Sequence, residues 1–270
     1  MVSHSQPDRR WLTAHGAEQD ALHGRAAELT RSHFGRRVFV RGVVEVSNHC
    51  RENCHYCGMR RDNRALARFR ARHEQLAELL IHHRPASLTD VNIQTGEDPV
   101  AVREVVVPLV RTLRRETPLG VSVCLGTLTE ALYDELQAAG ASLYIIKFEL
   151  SDAARYEQLE APGTLAERLR HIRLLAARGW RVSSGFIAGL PDQGADDGYQ
   201  RGLRAGANLC TINLTPSEIR GDYLLYKRER FIMNEERVLH AISAAGREVS
   251  RTSLAEHWPA KPLAIPVLAG

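Results

Sequence analysis

VFVRGVVEVSNHCRENCHYC, residues 38–57, joins a run rich in β-branched residues to a polar loop that holds three of the chain's five cysteines. The run has strand composition and gives way to the loop at Ser47 and Asn48. The same grammar recurs along the chain. Further apolar runs at 90–96 (DVNIQTG), 120–126 (GVSVCLG), 143–150 (LYIIKFEL), 181–190 (RVSSGFIAGL) and 208–216 (NLCTINLTP) read as strands. Between them EQLAELLIHH, EVVVPLVRTLRR, LTEALYDELQAAG, TLAERLRHIRLLAARG and ADDGYQRGLRAGA carry apolar residues at helical spacing. Gly140, Gly179 and Gly206 stand where helix C-caps belong. A strand followed by a helix, repeated, predicts an α/β chain with a parallel sheet.

The spacing predicts a helix over 15–34 ahead of the first strand, and EVSRTS (248–253) reads as a short seventh strand after NEERVLHAISAAG. No Gly/Ser/Pro-rich linker divides the chain. The expected organisation is an N-terminal extension and helix over 1–36, a core over 37–247 and a C-terminal tail over 248–270. In a barrel or in a doubly wound sheet, ligands bind at the carboxyl ends of the strands. The cysteine loop begins at such an end.

At 270 residues and 44% hydrophobic content the chain can bury a substantial core. Its 36 basic and 32 acidic residues read as spread along the sequence rather than gathered in blocks, which argues against a nucleic-acid binder. No apolar run approaches the roughly 20 residues that span a bilayer, and the first residues lack a signal-peptide core. These readings predict a cytoplasmic protein with no membrane partner. An odd, clustered set of cysteines does not suit a disulfide framework.

Cys50, Cys54 and Cys57 follow a CxxxCxxC spacing that lets three thiolates share one metal centre. Zinc with His49 or His55 as a fourth ligand is one reading, and it would make the chain a non-catalytic interaction protein. The other is an iron–sulfur cluster, in which three thiolates leave one iron open for a ligand.

CxxxCxxC with Tyr56 before the last cysteine resembles the signature of the radical S-adenosylmethionine (SAM) superfamily. RGVVEVSNHCRENCHYCGMR with IQTGEDP is similar to its biotin synthase branch, to HydE-like maturases most of all and to methylornithine synthases. The resemblance implies a partial TIM-like (β/α) barrel of about six β/α units with an N-terminal helix. It implies a radical SAM enzyme with a 4Fe-4S cluster on Cys50, Cys54 and Cys57, and SAM chelated to the open iron. Reductive cleavage of SAM would yield a 5′-deoxyadenosyl radical that acts on a small-molecule substrate. An external one-electron donor such as flavodoxin or ferredoxin would supply the electron.

By the same resemblance, the Gly96 carbonyl and the Glu97 carboxylate contact the SAM ammonium, Glu149 contacts SAM, and Arg168 pairs with its carboxylate. Gly185 and Ile187 lie in a GxIxG-like segment near adenine, where Tyr56 offers its backbone. Each residue also has a plainer reading: Glu97 capping a helix near Pro99, Arg168 solvated on its helix, Glu149 paired with Lys147. The chain departs from HydE in being shorter after GLPDQGADD, in Lys147 and in Thr127. An amino-acid mutase or lyase is therefore the competing activity. Only Cys124 and Cys210 remain for a second cluster, and both read as core residues.

Overall fold

The computed structural model describes residues 14–185, 198–224 and 234–258. Helix α1 (Ala17–Phe34) leads into the long strand β1 (Arg37–Ser47). There follow α2 (His73–His82), β2 (Asp90–Thr95), and a continuous helical stretch of α3 (Pro99–Ala101), a π turn (Val102–Val106) and α4 (Val107–Glu116). Pro108 has no N–H to give Glu104, and the π turn upstream takes up that interruption. The chain continues through β3 (Gly120–Cys124), α5 (Glu130–Ala139), β4 (Leu143–Ile145), α6 (Ala153–Gln158), α7 (Leu165–Ala177) and β5 (Arg181–Ser183). It ends with α8 (Gly198–Arg204), β6 (Leu209–Asn213), α9 (Ser217–Arg220), α10 (Glu235–Ala244), β7 (Glu248–Val249) and a 3-10 turn (Leu254–His257).

The strands pair in the order β5-β4-β3-β2-β1-β6, all parallel. A doubly wound sheet reverses direction at a switch point. Here β1 to β5 run in sequence order and β6 returns to the free flank of β1, the cyclic order of a (β/α) barrel. Arg41, Asp90, Ser122, Leu143, Arg181 and Leu209, one from each of these six strands, line one small cavity, so the sheet is rolled. Among the described residues β5 and β6 are not paired, and the barrel is open along that seam.

Side chains along a strand alternate between faces. The outward set, Val38, Val40, Val44 and Val46 of β1, Val91 and Ile93 of β2, Val121 and Val123 of β3, packs with Leu76 and Leu80 of α2, Leu109 and Leu113 of α4 and Leu132 and Leu136 of α5. Fully burying each such side chain contributes about 1.5–3 kcal/mol, and this layer between strands and helices is the hydrophobic core. The inward set is richer in polar residues, with Arg41, Glu45, Asp90, Asn92, Gln94, Ser122 and Asn213 among the apolar Leu143 and Leu209. Thr129, Thr164 and Asn234 cap α5, α7 and α10 with their side chains, and Gly140 ends α5 at φ 104°.

Strand β4 is shorter than the sequence suggests. Residues 146–150 leave β4, and Glu149 takes a left-handed φ of 64°. The segment 186–190, expected to continue β5, lies outside the described residues. The C-terminal stretch packs into the barrel: β7 pairs β1 at Arg37 and Val38, and Ser253 Oγ (2.8 Å) and the Leu254 amide (3.0 Å) donate to the inward Asp90 carboxylate.

Candidate functional site

The cysteine loop leaves β1 through Asn48, whose buried side chain acts as a clasp. Its Nδ2 donates to the carbonyls of Ala67 (2.7 Å) and Asp222 (2.9 Å), and its Oδ1 accepts from the Phe69 amide (2.8 Å). Arg68 adds a second clasp, donating to the carbonyls of Asn48, Met59, Arg60 and Asn63. Thus the loop is shaped by polar side chains rather than by regular structure.

Gly96, just past β2, lets the next turn approach: a Cβ there would sit 2.2 Å from the His49 carbonyl oxygen and 2.9 Å from Cys50 Cβ. The Gly96 amide donates to the Ser47 carbonyl (2.9 Å), and the Glu97 amide donates to Cys50 Sγ (3.3 Å). Cys54 is buried, while Cys50 and Cys57 are half-buried. Burial pushes the Cys50 thiol up to about 11 and Cys54 up to about 12, with the neighbouring thiols adding to the rise. Without a cation the pair stays protonated at neutral pH. A positively charged metal group is what would draw the protons off, so the donor chemistry suits one.

Glu97 is the hub beside the thiols. Its Oε1 accepts from Arg168 Nη2 (2.9 Å) and the Thr127 amide (3.0 Å), and its Oε2 accepts from Arg51 Nε (3.2 Å) and Nη2 (3.1 Å). Gly126, at φ 71°, faces this carboxylate so closely that a Cβ would lie 2.2 Å from Glu97 Cγ. The cap of α3 is not Glu97 but Asp98, which also holds Ser47 and Arg70. Nor is Arg168 solvated, being 3% exposed. Burial alone would lower its pKa, but Glu97 and Tyr156 together hold the guanidinium above its ordinary range.

Glu149 stands within electrostatic reach of Arg168, Lys147 and Glu97, and burial raises its carboxyl above the usual range. Gly185 fixes the bend there, its carbonyl accepting from the amides of Phe148 (3.0 Å) and Glu149 (3.3 Å). Glu149 Oε2 and Arg168 Nε are both buried without a hydrogen-bond partner. An unused acceptor and an unused donor, buried near each other, fit a ligand carrying an ammonium and a carboxylate, such as the methionyl end of SAM. Tyr56 lies beside Cys54 and Glu149, its phenol raised chiefly by burial. Ile187 lies outside the described residues.

The lumen below holds residues that sequence reading missed. Glu45, fully buried, accepts from Gln94 Nε2 (3.2 Å) and Asn213 Nδ2 (3.4 Å). Arg41 donates to Thr211 (3.3 Å) and keeps a buried Nε without a partner. The missed signal was parity: residues 41 and 45 share the face opposite the valines at 40, 44 and 46. Parity also corrects Cys124, which was expected in the core. It shares the inward face with Ser122, among Lys147, Glu149 and Arg41, whereas Cys210 does belong to the core. Of the two histidines offered for zinc, His49 and His55, the second is engaged by Glu160 at 3.1 Å. Among the described residues, no three His, Cys, Asp or Glu side chains are grouped to enclose a single metal ion. None of the described helices is long and apolar enough to cross a membrane.

Residues 44–198 match the family model for the Radical SAM superfamily. The FeFe hydrogenase maturase subunit HydE of Thermotoga maritima is 31% identical over 178 residues, covering 66% of this chain and 51% of HydE. A biotin synthase from Nocardioides sp. is 29% identical over 220 residues, covering 74% of this chain and 58% of that protein. Among solved structures, methylornithine synthase (PylB) shares the fold with a TM-score of 0.75 at 19% identity, covering 90% of this chain and 93% of that one. The chain spans about half the length of the curated relatives it matches. With more than half of its residues matched by the family model, and a rolled parallel sheet carrying the cysteine loop at the end of its first strand, the chain belongs to the Radical SAM superfamily of enzymes.

Proposed function

We propose that Cys50, Cys54 and Cys57 hold a 4Fe-4S cluster, that SAM binds at its open iron, and that the lumen holds a small polar substrate. When bound, cluster and SAM together supply a 5′-deoxyadenosyl radical by one-electron cleavage of the sulfonium, chemistry that no side chain provides. The observation that carries the reading is that the cysteine loop, through Cys50, meets Glu97 with Arg168 and Glu149 at one barrel mouth, where a buried donor and a buried acceptor stand unused.

In this reading Arg168 Nε takes the carboxylate of SAM, and Glu149 takes its ammonium together with the Gly96 carbonyl. The Glu97 carboxylate already accepts four hydrogen bonds. Its part is to hold Arg168 in place, and its share in the ammonium contact is secondary. Tyr56 and Gly185 border the adenine. The walls of the lumen exclude water from the reacting carbon.

Glu45, Arg41, Asn92, Gln94, Ser122 and Asn213 favour a compact substrate that can hydrogen-bond over an apolar chain. One inward cysteine among the described residues, Cys124, disfavours a second cluster and hence sulfur insertion. The polar lumen suits the amino-acid mutase or lyase reading as well as a HydE-like maturation step.

Anaerobic reconstitution with iron and sulfide tests the proposal, followed by absorbance and EPR with and without SAM and an assay for 5′-deoxyadenosine after reduction. A SAM-perturbed cluster and 5′-deoxyadenosine are expected. Stoichiometric zinc with no 5′-deoxyadenosine sinks the reading, and so does a Cys54→Ala variant that still cleaves SAM.

A further inference from the structure

The balance of charge along the chain is uneven once the cysteine loop is isolated. Residues 49–72 hold seven arginines against Glu52 and Asp62, a net of +5, while the whole chain nets +4. All of the excess positive charge therefore sits on the cysteine loop and its continuation into α2, and the rest of the chain is slightly acidic. This corrects the expectation of evenly spread charge.

The structure sorts these arginines by what they do. Arg68 is consumed in holding four carbonyls, Arg51 reaches Glu97, and Arg70 reaches Asp98. Arg64 is exposed, while Arg61, 59% exposed, pairs with Asp62 at 3.1 Å and donates to the Arg51 carbonyl (3.4 Å). Backbone links join this segment to the cysteine loop: the Arg60 amide donates to the Cys57 carbonyl (3.3 Å), the Arg61 amide to the Glu52 carbonyl (2.8 Å), and the Arg64 amide to the Asp62 carbonyl (3.0 Å). Arg60 also donates from its side chain to the Cys57 carbonyl (3.4 Å). A cationic rim thus surrounds the outer side of the loop on a backbone made rigid by Asn48 and Arg68.

We propose that this rim, centred on Arg61 and Arg64, is the docking surface for an acidic one-electron carrier protein. The proposal rests on the reading that the three thiols hold an iron–sulfur cluster. At each docking the reduced carrier loses one electron and the cluster gains it, with no bond, proton or group transferred between the proteins. Electron transfer weakens steeply with distance, so the donor must seat over the loop. Redox encounters of this kind are small and transient, and a cluster of like charges is enough to steer them. A nucleic acid would meet the same charge, but the rim is one compact loop interrupted by Asp62 and by the His55–Glu160 pair, not a stripe that tracks a phosphate backbone.

The test uses the full chain with a bacterial flavodoxin and a ferredoxin as probes. Binding to the metal-free chain is measured by calorimetry at low salt and again at high salt. It is compared among the wild type, Arg61→Glu/Arg64→Glu, and a control, Arg111→Glu/Arg173→Glu, with the same charge change on the outer helices α4 and α7. Steering by a few charges is worth about tenfold or more. The expected result is a salt-sensitive affinity that drops about tenfold in the rim variant and stays within twofold of wild type in the control. In reconstituted enzyme, flavodoxin-driven 5′-deoxyadenosine formation falls in parallel, while dithionite-driven formation is unchanged.

Equal affinities for rim variant and wild type overturn the proposal. So does an equal loss in the control, absence of binding to either probe, or preferential binding of a mixed-sequence RNA that the rim variant loses. Failure of dithionite to drive SAM cleavage in the wild type counts against the cluster reading instead, and the metal-free binding comparison still decides the docking face.

Discussion

Replacing Gly96 with alanine adds one methyl group at the point where the turn after β2 meets the cysteine loop. The new Cβ would stand 2.2 Å from the His49 carbonyl oxygen, about 1.2 Å short of ordinary contact, which begins near 3.4 Å. The obstruction is backbone, so no rotamer relieves it. The turn cannot step back either, because the Gly96 amide is bonded to Ser47 and the Glu97 amide to Cys50 Sγ. The loop must yield, and Cys50, whose Cβ would lie 2.9 Å away, moves with it. Overpacking of this kind costs about 1–3 kcal/mol. For a domain of this size that is a fall in Tm of about 4–8 °C at the middle of the range.

A displacement of about 1 Å at a reacting centre can lower a rate about 100-fold. Gly96→Ala is therefore expected to fold, to melt a few degrees earlier, to take up less iron on anaerobic reconstitution, and to form 5′-deoxyadenosine at about 1% of the wild-type rate. Calorimetry, iron content and the nucleoside assay check this. A variant with wild-type iron, Tm and rate would show that the close approach of turn and loop does not position the thiols.

Other perturbations follow from the same geometry. Arg168→Met leaves Glu97 buried with only Arg51 and one amide, and the loss of a buried partner is expected to cost about 3 kcal/mol in urea unfolding. Asn48→Ala strands two carbonyls and an amide and should cost about 2 kcal/mol, with faster hydrogen exchange over 48–72 as its signature. Burial raises the Glu149 carboxyl, so the folded chain binds that proton more tightly than the unfolded chain, and stability falls as pH rises through the raised value. Glu149→Gln should thus raise Tm at neutral pH, lose that advantage as pH falls toward the ordinary carboxylate range, and weaken SAM binding by titration calorimetry. Ser253→Ala removes one donor to Asp90 and is expected to lower stability by about 1 kcal/mol without changing iron uptake.

The strand-and-helix alternation, the helix caps and the cysteine loop are local signals, and they were legible. The β-branched run at 38–46 and the CxxxCxxC spacing suffice to place a thiol cluster at a strand end. What escaped was set by distant partners. Arg51 reads as one more loop arginine until Glu97 and the Thr127 carbonyl arrive from two other strand ends. Likewise, nothing in EVSRTS says that Ser253 will find Asp90 across the barrel floor. Glu149 was read at the end of a strand, but its left-handed backbone depends on the Gly185 carbonyl of the next one. Cys124 was misplaced because its composition was weighed and its parity was not.

The two-faced strands carry a consequence for how such a chain can change. The outward valines and isoleucines that hold the fold point to the helices, and the residues that would meet a substrate, at 45, 92, 94, 122 and 213, point inward on the alternate positions. Selection can rewrite the inner set one residue at a time while the outer set keeps the stability margin almost intact. The barrel works as a socket whose wiring is independent of its casing, and a library randomised at those five positions should remain mostly folded while its ligand preferences diverge.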